Sequence, residues 1–534
     1  MKSHCLPFRQ IPHTTQLFLD YLEFTLKVRQ FYPRSARFTE WVRDEVTRIQ
    51  YPNERRARMA DVLERQNKSW GASRAALETV QRFRDGAYAL VTGQQVGLFG
   101  GPAFSLYKAL SALKLAKEAQ KLGIQCVPVF WLATEDHDLD EVNQAHIPTS
   151  DGSIEALVSP TTATKDAPVG SIAFGTEISE LAGKASALLG DSDASRALKE
   201  CYRPGETFGT TFAKLFTRLF ADRGVILLDG SDPELDEIAA PLYRVAVTRA
   251  SELASALVKR DEQLRAAEYH QQVRITESST LFFLMREGVR VPVQLEAGKF
   301  LVGAEELSPQ DLNALVESSP QTFSPNVLLR PVVQDYLLPT LAYVGGAAEV
   351  AYFAQVAAVY EQLAGRITPI IPRFSATLIE PKPQALLDKY HLPFTDLFQG
   401  PEGLRQVIGS HLLPPHLQNS FDEATASVER SMRAVREGIG QLDKTLVESA
   451  ENAQSKMLYQ ITNLRSRAAR AELRQSGIVA RHADFLSSSL YPGKALQERE
   501  IAGVFLLAKY GTELLNGLLE TIHPDCLDHQ LISV

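Results

Sequence analysis

Short apolar runs alternate with glycine-rich and acidic breaks over residues 88–143, and the rest of the chain is arranged around that stretch. Tyr88–Val91 is apolar and breaks at Thr92-Gly93-Gln94-Gln95-Val96-Gly97. Gly100-Gly101-Pro102 follow, then a helical pattern over Ala103–Leu122. A second apolar run, Cys126–Ala133, stops in Glu135-Asp136-His137-Asp138. Strand, glycine turn, helix, strand and acidic turn make a βαβ unit whose polar groups collect where strands end. In open α/β sheets ligands sit beyond the carboxyl ends of the strands, so both loops are predicted to open onto one crevice, the candidate active site.

Before this stretch the pattern is helical. Leu17, Tyr21, Leu22, Phe24, Trp41, Val42 and Val46 recur at the period of half-buried helices. Arg55–Asn67 reads as a solvated helix and Ser73–Arg84 as another. After it, Ile147–Ser171 is rich in Thr, Ser, Pro and Gly and predicts short strands on an excursion from the core, followed by helices over Ser179–Leu198 and Phe208–Arg223. Gly224–Gly230 is a short, apolar strand of the buried parallel kind, ending in Asp229. A long helix over Ile238–Ala267 and a meander (Leu281–Met285, Val289–Leu295, Phe300–Val302) form a second excursion. The chain returns through Asn326–Asp335, the run Leu341–Gly346, a helix over Ala347–Leu363 and a last strand, Ile367–Ile371. From Phe421 to Ala468 apolar residues step by three and four, which predicts a coiled coil folded as an antiparallel hairpin with its turn at Gly438, Gly440 or Glu448–Ser455.

At 534 residues, two or three structural units are expected. A net charge of −8 argues against general nucleic-acid binding. No apolar run reaches the roughly 18–20 residues of a membrane span, and Met1–Gln10 lacks the apolar core of a signal peptide. Cys5, Cys126, Cys201 and Cys526 lie far apart without CxxC spacing, which suits a reducing cytoplasm. Cys126, opening a buried strand, reads as a packing thiol.

Several residues carry candidate chemistry. Gly93, Gly97 and Gly101 precede a helix N-terminus, where they serve tight turning or ligand contact; the paired amides of Gln94 and Gln95 add donors and acceptors with no evident core role. Asp136 and His137 sit in an acidic cluster that either favours a helix start or does general-base work on an incoming ammonium. Arg330, embedded in an apolar segment with Asn326, Gln334 and Asp335 nearby, needs a partner: a substrate carboxylate or Asp335. Tyr343, Gly345 and Glu349 repeat the strand, glycine turn and helix theme as a second ligand-facing loop. Arg373 and Ser375 after the last strand, and Lys494 and Arg499 in the tail, are candidate phosphate contacts. No metal site is assigned.

Together, VTGQQVGLF (Val91–Phe99), Val129-Phe130-Trp131 with Glu135-Asp136-His137-Asp138, NVLLRPVVQDYLLPTLAYVGG (Asn326–Gly346) and LYPGKALQER (Leu490–Arg499) resemble the cysteine-adding enzymes of bacillithiol biosynthesis over essentially the whole chain. The resemblance implies an α/β fold: a Rossmann-like, class I nucleotidyltransferase-like parallel-sheet core, two connective insertions and a C-terminal helical coiled coil. The corresponding division is 1–147 for N-terminal helices and first core part, 148–222 and 255–325 for the insertions, 223–254 and 326–390 for the remaining core, and 391–534 for the coiled coil. It implies a cytoplasmic homodimer that ligates L-cysteine to glucosaminyl-malate. Gln94, Gln95, Asp136, His137, Asn326 and Arg330 would then be catalytic; Gly93, Gly97, Gly101, Gln334, Asp335, Tyr343, Gly345 and Glu349 would bind substrate. Family members hold a nucleotide diphosphate near the coiled coil, so ATP or ADP is expected, with Arg373, Ser375, Tyr491, Lys494 and Arg499 as ligands. Neither HxGH nor KMSKS occurs, so adenylation does not follow from the sequence. The rival readings are an amide ligase for a different acid and amine, and a coiled-coil scaffold without catalysis.

Overall fold

The computed structural model describes residues 1–150, 152–411, 413, 415–475, 477–524 and 526–534, without the side chains of 410, 411, 444 and 470–475. The chain forms two compact units. The first comprises Met1–Thr149, Ile154–Thr377 and Glu498–Ile532, and the second Ser150–Ser153, Leu378–Gln497 and Ser533–Val534.

The first unit is built on a five-stranded sheet of β1 (Tyr88–Gln94), β2 (Cys126–Leu132), β3 (Ile226–Asp229), β4 (Thr340–Gly345) and β5 (Ile370–Pro372). Its order is β5-β4-β1-β2-β3 with every neighbouring pair parallel, the doubly wound arrangement. Every residue of β2 is buried, as its apolar run predicts for a strand covered on both faces. Pro128 is tolerated within it because β3 begins only opposite Val129. Helix α1 (Ala103–Lys121) joins β1 to β2, and its residues from Leu106 to Leu113 are all buried. Strand order reverses between β1 and β4, so a crevice is expected outside the carboxyl ends of these two strands.

Both excursions are present. The first, between β2 and β3, holds the hairpin Gln144–Pro148 with Ile154–Val158. The second, between β3 and β4, ends in an antiparallel sheet of Ser279–Arg286, Val289–Glu296, Lys299–Val302, Glu305–Leu307 and Phe323–Pro325. Two expected helices are each broken: Ile178–Leu189 and Asp193–Cys201 part at Gly190, whose φ is +69°, and Pro233–Thr248 and Ala250–Ala266 part at Arg249.

The expected solvated helix is also corrected. Asn53–Ser69 buries Met59, Val62 and Leu63, and its amide side chains complete the edge of β3. Asn67 accepts from Leu227 N (3.0 Å) and donates to Leu227 O (2.8 Å), while Gln66 accepts from Asp229 N (2.9 Å). The polar character that suggested solvent serves an open strand edge.

In the second unit, helices Pro415–Leu442 and Val447–Gln475 pair as the predicted hairpin. Ion pairs Arg436–Glu451 (3.4 Å) and Arg465–Asp422 (2.9 Å) fix the antiparallel register. The bend lies at Asp443–Leu446, where Asp443 accepts from Thr445 N and Oγ1, both at 2.8 Å. Gly438, Gly440 and Glu448–Ser455 all lie inside helices, because a local aspartate turn breaks the chain where glycine was expected to.

Candidate active site

At the switch point, β1 delivers Gln94 and β4 delivers Gly345, while α1 places Lys108 beneath both. Lys108 is 4% exposed. It donates to Gly93 O (2.7 Å), Gln94 Oε1 (2.9 Å) and the Glu349 carboxylate (2.6 Å). Burial pulls the Lys108 ammonium down, against the upward pull of Glu349. For Glu349, burial works upward, but Lys108 and the Gly346 amide (2.7 Å) hold the carboxyl below the usual range. Tyr343 donates to the other Glu349 oxygen at 2.5 Å.

Arg330 stands over the Tyr343 ring (5.7 Å) and donates to Tyr352 Oη (3.2 Å) and more weakly to Gln334 Oε1 (3.4 Å). Burial opposes its charge, but Tyr343, Tyr352, Glu135 and Glu349 outweigh that and hold the guanidinium protonated. Arg330 opens a short helix, Arg330–Leu337. Asn326 sets up that helix: its Oδ1 accepts from Leu328 N and Leu329 N, both at 3.0 Å, and its Nδ2 faces Thr280 O (3.3 Å). The Asn326 oxygen thus positions the helix that carries Arg330.

The acidic turn approaches from β2. Gln95 Nε2 donates to Asp136 (2.7 Å) and Glu141 (2.9 Å), and Asp136 also accepts from the His137 amide (2.7 Å). Glu135 is pushed up to about 7 by burial and by Asp229 and Asp136, against the pull of Arg290 and Arg330. Arg290, from the second excursion, bridges to this turn: Nη1 lies 3.2 Å from His137 Nδ1, Nη2 donates to Pro325 O (3.0 Å), and the guanidinium covers the Phe283 ring at 4.2 Å. Its Nε is buried with no partner.

Gln94, Gln95, Asp136, His137, Arg330, Tyr343, Gly345 and Glu349 therefore gather around the ends of β1, β2 and β4. Gln334 is fully buried behind Arg330. The glycines have packing reasons: a Cβ on Gly93 would lie 3.0 Å from Trp131 O, on Gly97 3.0 Å from Gly101 Cα, and on Gly345 2.8 Å from Glu349 Cβ. Asp335 departs from expectation. It faces Tyr360 Oη (2.8 Å) and Thr368 at the far end of its helix, away from the crevice, because a helical turn and a half separates it from Arg330.

Arg373 and Ser375 are already engaged. Glu498 takes Arg373 Nη2 at 2.7 Å and Ser375 Oγ at 2.8 Å in a buried cluster with His529. As free phosphate ligands they do not fit. Arg499 lies with Arg373 over the ring of Phe104 (6.0 and 5.2 Å). In the second unit, Tyr491 packs edge-on against Phe398 and the Lys494 chain covers Gly400. Lys108 and Arg290 were not foreseen. Lys108 could have been found as the lone charged residue in Leu106–Leu113, whereas Arg290 carries no local signal.

Residues 1–374 match the family model for the bacillithiol biosynthesis BshC N-terminal Rossmann-like domain, and residues 376–534 that for its C-terminal coiled-coil domain. A protein of Koribacter versatilis (strain Ellin345) named "Putative cysteine ligase BshC" is 46% identical over the full length of both chains. Proteins of the same name from Solibacter usitatus (36% identity; 99% of this chain, 100% of theirs) and Salinibacter ruber (33%; 100% and 98%) are similar throughout.

Proposed function

The chain belongs to the BshC family of bacillithiol biosynthesis, and from that premise we propose that it is a ligase joining the carboxyl group of L-cysteine to the amine of glucosaminyl-malate. The observation that supports this reading is the convergence at one switch point of a fixed amide pair, an acidic turn and two guanidinium groups. Lys108 takes the oxygen of Gln94, which leaves the Gln94 NH₂ to donate to the acyl oxygen of cysteine. Gln95 is held the other way, with its NH₂ on Asp136 and Glu141, so its oxygen can accept from an amine. Asp136 would bind the glucosaminyl ammonium, and Glu135, poised at about 7, would receive its proton at neutral pH. Arg330 and Arg290 would hold the malyl carboxylates.

Amide formation from a free acid needs activation, so a nucleoside triphosphate is the expected co-substrate. Arg373 and Ser375 are held by Glu498; Arg499 in the first unit, and Tyr491 and Lys494 in the second, are separate candidates. A homodimer through the coiled coil is supported by Val435, Leu442, Met457 and Leu464, which are exposed and include two pairs at heptad spacing. Among the described residues no helix is long and apolar enough to cross a membrane; a cytoplasmic setting is the one we propose, where Cys5 and Cys526, far apart in sequence but with their Sγ atoms 2.7 Å apart, stay reduced beside the buried Cys126 and Cys201.

Purified protein supplied with glucosaminyl-malate, L-cysteine and ATP tests this by product mass. Product in the wild type, with Arg330→Ala raising KM for glucosaminyl-malate by roughly a hundredfold, is the expected result. Absence of the cysteinyl amide with every nucleotide tried, or condensation of a different acid and amine instead, would refute the assignment.

A further inference from the structure

At the amino-terminal end of β4, the opposite end of the strand from the crevice, a cavity of about 360 Å³ is bounded by Arg48, Arg55, Arg366, Tyr51, Tyr336 and Asp335. Its charges do not balance. Arg34, Arg48 and Arg366 all converge on one wholly buried carboxylate, Glu45, at 3.0, 3.6 and 2.9 Å. Arg366 is further tied to Thr340 O and Thr368 Oγ1. Arg48, the most distant of the three, keeps a half-exposed guanidinium. Arg55 pairs with no carboxylate among the described residues: it lies 3.5 Å from the centre of the Tyr336 ring and spends one donor on Tyr336 O (3.0 Å). Asp335, the other acid, is closed in by Tyr360, Thr368 and Arg366, and burial raises its carboxyl. Four guanidinium groups thus face one or two acids, and the surplus donors of Arg48 and Arg55 are the ones that border the opening.

We infer that this cavity is a second ligand site, for a small organic dianion with a carboxylate or phosphate head, distinct from the crevice. Arg48 and Arg55 hold the head, and the Tyr51 and Tyr336 rings flank its body. The volume is within the range of small-molecule sites, roughly 300–1,000 Å³. Planar guanidinium groups are suited to both head groups, because each presents paired oxygens to the fork of donors. The site also has a route to the crevice. Helix Arg330–Leu337 carries Arg330 at its first residue and supplies Asp335 and Tyr336 to the cavity wall from its last turn. An occupant therefore bears on the element that positions Arg330.

Isothermal titration of the full chain with inorganic phosphate, and separately with succinate, each against chloride at equal ionic strength, tests this. Binding of at least one probe is expected, and the tighter one tells which head group the site takes. Arg48→Ala and Arg55→Ala should each weaken that binding by about tenfold or more, while Arg330→Ala, which removes only what the crevice itself holds of a dicarboxylate, leaves the Arg48-dependent binding event in place. Arg48 is half-exposed, so its variant reports even if Arg55→Ala fails to fold, which circular dichroism shows. Binding no stronger than that of chloride overturns the inference. So does wild-type affinity in Arg48→Ala, or the loss of every binding event in Arg330→Ala.

Discussion

A guanidinium has donors only, so Arg290 Nη1, at 3.2 Å from His137 Nδ1, requires a lone pair on that nitrogen. Asp136 Oδ1 is the competing partner, but it lies 3.8 Å from Nδ1 and already accepts from the His137 amide. The contact therefore fits the His137 tautomer with Nδ1 bare and the proton on Nε2. Nitrogen-15 NMR of the histidines at neutral pH should show Nδ1 bare and Nε2 protonated for His137, and Arg290→Met should abolish that preference. A protonated Nδ1 in the wild type would contradict the assignment. Glu135 gives a second prediction. Its folded carboxyl sits near 7, above the usual value, so the folded state binds the extra proton between about 4.5 and 7. Stability must then fall as pH rises through that window. Glu135 keeps an edge of solvent, so about 1–2 kcal/mol is expected in place of the roughly 3 that the full shift would give. Glu135→Gln should flatten that slope in urea titrations from pH 5 to 7.5. Lys108→Met, which strands Glu349, should cost about 3–5 kcal/mol, and adding Glu349→Leu should recover much of it.

Among the elements, apolar rhythm was a good guide wherever one face or both faces of an element meet the core. The βαβ unit, the meander and the hairpin all lie where their periodicities place them. Where side chains complete another element's backbone, the rhythm misled: the helix Asn53–Ser69 looks solvated because Gln66 and Asn67 are polar, yet both are committed to β3. Asn67→Ala would leave Leu227 N and O without partners, at a cost of about 1–3 kcal/mol by denaturant titration. In the hairpin the exposed Val435, Leu442, Met457 and Leu464 are the face on which the proposed dimer would close. Replacing Leu442 and Leu464 by Glu should convert a dimer into a monomer by light scattering, with helix content retained; an unchanged dimer would place the contact elsewhere.

Over the whole molecule, the crevice was legible because two of its walls are contiguous in sequence: the Gln94-Gln95 bend and the Glu135–Asp138 turn end adjacent parallel strands. Arg330 was legible as a charge inside an apolar segment. What the sequence could not offer was the third wall. Arg290 is about 150 residues from His137 in the chain, and only the folding back of the second excursion brings them together. Asp335 misled for the opposite reason, since neighbours along a helix need not face the same space. The most direct test of the central claim is the thiol profile of a deletion strain complemented with this gene or its variants. The wild type should restore bacillithiol, while Asp136→Asn and Arg330→Ala, expressed at equal levels, should accumulate glucosaminyl-malate. Normal bacillithiol production by both variants would contradict it.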